Sequence, residues 1–301
     1  MKKIPACLIA LSFILFLAFP GLAETPAAST AECGVMVWKV AAKDKTASAS
    51  YFIGTIHNLE PKHFTNMAAI LKLIDSCEVF VMEADTSKAA SEASELSKYT
   101  QYPEGGNLKS DLSADLYAKT IAFMKKNFNI PEEQVDRMKP LWVSMLVQMG
   151  LEPPVAKLMD DIFKEKVGER GIKTAFLESW LAGCKLPSFI PLEEQIGSLK
   201  ETIDAPEKII EASAKLKSAY LSGNVEKLTL AALDSESGNK YPMIRKALYP
   251  DRHALWLPEL EKHLKAGGAV IAVGVGHLIG ESSLLESFKK KGYTIEKIES
   301  K

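Results

Sequence analysis

The chain reads as an α/β protein: a mixed central sheet built from two related strand–Gly-x-x-His–helix–strand units, with a helical insertion between them. Two stretches at opposite ends predict this. In YFIGTIHNLEP and IAVGVGHLIGE, an apolar run stops at Gly-x-x-His, Gly54 to His57 and then Gly274 to His277. After each come a loop, a helical pattern and another strand. The third observation is a change of texture between them, where apolar residues recur at helical rather than alternating spacing.

Taken in order, GVMVWKV and SASYFIGT read as short strands joined by the polar turn AAKDKTAS, a hairpin. Met67, Ile70, Leu71 and Ile74 fall on one helical face. EVFVMEAD is an unbroken apolar run ending in acid, the pattern of a strand covered on both faces. From about 110 to 240, SADLYAKTIAFMKKNF, LWVSMLVQMGL, PVAKLMDDIFKEKVGERG and APEKIIEASAKLKSAYLSG all read as amphipathic helices. IKTAFLES interrupts them as a short strand ending near Glu178. MIRKALYPDRHALWLPELEKHLKAG reads as one long helix stopped by Gly267-Gly268. AVIAVGVG, SLLESFKKK and YTIEKI close the chain as strand, helix and strand. The sheet units thus cover about 34–100 and 240–301 of a single domain expected over 24–301.

Residues 1–23 read differently. Lys2 and Lys3 precede an apolar run from Leu8 to Phe19, and Gly21-Leu22-Ala23 supplies a small-residue cleavage site, so this is a secretory signal peptide. The run is too short for a comfortable span and no second one follows, so an exported, periplasmic or secreted protein without a membrane anchor is expected. The formal charge of −1, which becomes more negative once the leader's lysines are removed, gives no electrostatic case for nucleic acid. Cys33, Cys77 and Cys184 remain, an odd number; any two of them could pair in an oxidising compartment.

The chemistry is expected where buried strands run out, because ligands of open parallel sheets bind beyond the strands' carboxyl ends. His57, Glu83, Glu178 and His277 all stand at such ends. Imidazole and carboxylate are good ligands for manganese, cobalt or zinc. Taken alone, either glutamate would serve equally as a helix cap or an ion-pair partner, and Arg252 as a surface partner of Asp251. His63 and His263 lie on polar stretches and carry no assigned role. His-Glu-x-x-His, Gly-x-Ser-x-Gly and a glycine-rich phosphate loop are all absent from the sequence, which argues against zincin, serine-hydrolase and nucleotide chemistry.

Taken together, FIGTIH, VFVME, MKPLW, FLES, PLEEQIGSL, YPDRHALW and VGVGHLIGESSLLESFKKKGYTIEKI, in that order, resemble the TraB/GumN proteins, which include the TIKI metalloproteases. The resemblance runs from about Trp38 to Ile298. It implies His57, Glu83, Glu178 and His277 as metal-binding or catalytic residues, Arg252 as the matching arginine, and Asp160, in LMDDIF, as a further metal ligand. His253 stands where the pattern has asparagine. The implied reaction is metal-dependent peptide hydrolysis. A divalent ion on the histidines and one carboxylate would activate water, the other glutamate would act as base, and Arg252 would stabilise the oxyanion. Two other classes stay open: capture of a peptide without catalysis, and handling of haem or metal.

Overall fold

The computed structural model describes residues 34–42, 47–57, 59–233 and 240–299. The leader, Cys33 and part of the hairpin turn expected at AAKDKTAS lie outside them. Among the described residues there are six strands: β1 (Met36–Ala41), β2 (Ser50–Thr55), β3 (Val79–Asp85), β4 (Thr174–Ser179), β5 (Ala269–Gly274) and β6 (Thr294–Ile298). The longer helices are α1 (Met67–Asp75), α2 (Ala89–Thr100), α3 (Ala114–Phe128), α4 (Pro140–Leu151), α5 (Met159–Arg170), α6 (Trp180–Lys185), α7 (Leu192–Asp204), α8 (Pro206–Leu221), α9 (Val225–Leu233), α10 (Pro242–Leu248), α11 (Pro250–Ala266) and α12 (Leu284–Lys290).

The strands form one sheet in the order β4-β3-β5-β2-β1-β6. β4, β3, β5 and β2 run parallel, whereas β1 is antiparallel to both β2 and β6. The mixed sheet expected from the sequence is therefore present, and its parallel half carries the four strand ends singled out above. β5 is central and buried along its length (Val270 1 %, Ile271 0 %, Val273 0 % exposed), which explains why its sequence is apolar without alternation. β6, at one edge, alternates exposed and half-buried residues instead.

Helices cover both faces of the sheet. Phe163 of α5 meets Phe80 of β3 edge to face at 6.1 Å, and Phe288 of α12 lies 6.1 Å from Phe52 of β2. The helical middle has its own apolar cluster, from Leu116, Met124, Val143, Leu146, Val147 and Leu199 on α3, α4 and α7. It is fastened to the sheet by Tyr220 of α8, whose buried hydroxyl donates to the Gly54 carbonyl at 2.6 Å.

Two helices differ from their sequence reading. The one expected over 154–171 begins only at Met159, with Leu158 still extended (φ −78, ψ 154). The Pro153-Pro154 pair lacks N–H donors and disfavours helix before it. The single helix expected over 243–267 is two, broken at Tyr249 (φ −120, ψ −76). Pro250 disfavours helix at Tyr249 and has no N–H to carry the preceding helix on, and it then serves as a pre-set first residue of α11. α11 ends at Gly267, whose φ of +80 suits only glycine, and a Cβ there would lie 2.5 Å from the Ser48 carbonyl. Residues 86–107, which carried no reading, contribute α2.

Candidate functional site

The two Gly-x-x-His motifs sit on neighbouring parallel strands but one residue out of step: Gly54 pairs with Val273, and Thr55 with Gly274. A one-residue slip turns side chains to the opposite face. The path after each glycine differs as well. Gly274 leads straight into a tight 3-10 turn, Val275–His277, that buries His277, whereas His57 sits in an open turn with 48 % of its side chain exposed. The close approach allowed by Gly54 is filled by Val275 and Trp38, not left open to a ligand. Matching motifs therefore place their histidines in different surroundings.

His277 belongs to a buried cluster centred on Arg252 of α11. Arg252 Nη2 donates to Glu83 Oε2 at 2.7 Å and to Glu178 Oε1 at 2.8 Å, and Nη1 lies 3.1 Å from His277 Nε2. The guanidinium stacks 4.2 Å from the Trp256 ring, and Trp256 Nε1 donates to Glu178 Oε2 at 3.1 Å. Glu83 Oε1 accepts the Gly274 N–H at 2.7 Å. Behind His277, its Nδ1 lies 2.9 Å from His253 Nε2, and His253 Nδ1 lies 3.0 Å from the Ser282 carbonyl.

The ends of this chain fix the protons in it. Arginine can only donate and a carbonyl can only accept. His277 therefore accepts at Nε2 and donates from Nδ1, and His253 accepts at Nε2 and donates from Nδ1. Both rings are neutral in this arrangement. Desolvation, together with the positive charge of Arg252, pushes His277 down to about 3 against the pull of Glu83. Desolvation likewise lowers His253. Burial works to raise Glu83, but His277, Arg252 and the Gly274 N–H outweigh it and hold the carboxyl down at about 2.

His57 has a different partner, Asp160 of α5, with Nδ1 3.1 Å from Oδ2. Desolvation opposes the charged ring, but Asp160 and then Glu83 overcome it and raise His57 to about 9. At neutral pH it is an imidazolium whose Nε2–H is not committed to Asp160.

Glu83, Glu178, Arg252 and His277 are thus brought together, and His57 and Asp160 form a second pair. Sequence reasoning gave His253 no role and did not single out Trp256 or Tyr249, whose ring centroid lies 5.1 Å from that of His277. Their spacing with Arg252 (249, 252, 253, 256) is one helical face, but aromatic residues at that spacing also read as ordinary core.

A metal ion fits this arrangement poorly. The Nε2 lone pair of His277 accepts from Arg252, its Nδ1 carries the proton given to His253, and the facing oxygens of Glu83 and Glu178 accept from the same guanidinium. Among the described residues, no group of three or more His, Cys, Asp or Glu side chains is placed to hold a metal. Arg252, expected to stabilise an oxyanion, is bonded here to Glu83, Glu178 and His277. Cys77 and Cys184 are not bonded to each other, and burial pushes the Cys184 thiol up to about 12.

Fold and site define a mixed α/β protein with a charged cluster at the carboxyl edge of four parallel strands. The chain belongs to the TraB/PrgY/gumN family, whose model matches residues 36–297. No curated protein and no solved structure matches it. Among the described residues, no helix is long and apolar enough to cross a membrane.

Proposed function

We propose that this family member is an exported hydrolase acting on peptide or protein substrates at the carboxyl edge of the sheet. The observation that carries the reading is the division of labour in exposure. His57 and Glu83 keep 48 % and 25 % of their side chains exposed, whereas Arg252, Glu178 and His277 keep 12 %, 7 % and 7 %. The accessible pair does the chemistry and the buried three hold Glu83 in place. Glu83 takes a proton from water as the oxygen attacks the scissile carbonyl. His57 gives its Nε2 proton to the departing amine nitrogen as the C–N bond breaks, and Asp160 holds the imidazolium. One water is consumed, and an acid and an amine result. Manganese, cobalt or zinc, the cofactor class implied by the resemblance, enters no step here, because Glu83, Glu178 and His277, three of the donors expected to hold it, serve Arg252.

Capture of a peptide without cleavage is the second reading. The low proton affinity of Glu83, at about 2, favours it, since a base works best near the operating pH. The test is incubation of the chain from residue 24 with a broad peptide library, analysed by mass spectrometry, in chelator and separately with each of the three metals. New peptide ends that vanish in His57→Ala and Glu83→Gln support the hydrolase. Retention of peptides with no products under any condition transfers the conclusion to capture. Products that form only with added metal overturn the metal-free route.

A further inference from the structure

We infer that Arg252 is the resident cation of this site, a guanidinium built between Glu83, Glu178 and His277, three of the residues that the resemblance implies as holders of a divalent ion. The inference is independent of whether the site cleaves peptides. Three features on different elements shape the place to a planar cation. The carboxylates of β3 and β4 accept from one edge of the guanidinium, at 2.7 and 2.8 Å. His277, in the turn after β5, presents a lone pair to Nη1 at 3.1 Å, and the hydrogen bond to His253 fixes the tautomer that makes this possible. The Arg252 Cζ lies over the Trp256 ring, 4.2 Å from its centroid, a contact that suits a delocalised cation and offers no ligand atom to a metal. With two acids and an imidazole already satisfied by one side chain, a metal would have to displace a buried, ion-paired arginine to enter.

Removing the side chain should leave a hole of guanidinium shape. Arg252→Ala strands the nearly buried Glu178 carboxylate and the partly exposed Glu83, and loss of the shared partner of such a cluster lowers the melting temperature by roughly 10 °C in a chain of this size. Free guanidinium at low, non-denaturing concentration should refill the hole and recover much of that loss, whereas equal concentrations of sodium or methylammonium chloride should not. Recovery should disappear when Glu178→Gln is added. In parallel, calorimetry of the chelator-treated wild-type chain with manganese, cobalt and zinc should show no site that Glu83→Gln abolishes. A metal bound only through His57 and Asp160, lost in Asp160→Asn but kept in Glu83→Gln, leaves the clamp as described. One equivalent of metal bound by the wild type and lost in both Glu83→Gln and His277→Ala overturns the inference, and so does equal recovery by all three cations. The wild-type calorimetry decides the matter even if Arg252→Ala does not fold.

Discussion

His253 and His277 share a single proton whose direction is set from outside the pair, with Nε2 of the first 2.9 Å from Nδ1 of the second. Neither ring can turn over without leaving Arg252 or the Ser282 carbonyl facing the wrong kind of atom. His253 thus positions His277.

Replacing His253 by alanine leaves the Nδ1–H of His277 buried without an acceptor, so a loss of about 1–3 kcal/mol is expected. Asparagine, whose side-chain oxygen can accept that proton, should recover part of it. Urea denaturation of the three proteins checks both steps, and wild-type stability in His253→Ala would show that the relay contributes nothing.

The His57–Asp160 pair sets an alkaline limit. The pKa of His57 is raised from 6.5 to about 9 in the folded chain, so its contribution to stability is complete below pH 6.5 and fades as pH rises through 9. The half-exposed ring keeps the effect small. An NMR titration of the His57 ring should give a midpoint well above 6.5, moving down in Asp160→Asn. An unshifted midpoint in the variant would remove Asp160 as the cause.

On the acid side the signs reverse. His277 (6.5 unfolded, about 3 folded) and Glu83 (4.5 unfolded, about 2 folded) both bind protons more readily when the chain is unfolded. Their contributions are therefore present above those unfolded values and lost as pH falls, from 6.5 toward 3 for the histidine and from 4.5 toward 2 for the glutamate. Circular dichroism along an acid titration should show His277→Gln with a shallower fall between pH 6.5 and 4 than the wild type. Parallel curves would mean that His277 titrates alike in both states.

Tyr220→Phe tests the fastening of the helical middle to the sheet. It leaves the Gly54 carbonyl without its buried donor at a cost of about 1–3 kcal/mol, with little change in shape. Hydrogen exchange should then quicken in α8 before it quickens in β5. An unchanged exchange pattern would place the fastening elsewhere.

The strands were legible because a parallel sheet covered on both faces demands unbroken apolar runs, and the acids closing EVFVMEAD and IKTAFLES marked the edge where Glu83 and Glu178 meet Arg252. Two kinds of information were not local. The one-residue slip between Gly54 and Gly274 depends on strand pairing, so identical motifs looked equivalent and the ion pair of His57 with Asp160 could not be read from them. The break at Tyr249 was written in Pro250, yet the apolar periodicity on either side hid it. His253 and Trp256 were hidden for the converse reason: their helical spacing is what any core-facing stripe shows.

The Arg252 clamp also has a kinetic consequence. Its partners lie 169 residues away at Glu83 and 74 away at Glu178, and His277 comes 25 residues later in the chain. Contacts so distant in sequence slow folding, because loop-closure entropy is spent before they form. The side chain that bridges Glu83 and Glu178 is delivered by α11, so a chain cut short before residue 250 keeps both acids and loses their shared partner together with β5 and β6.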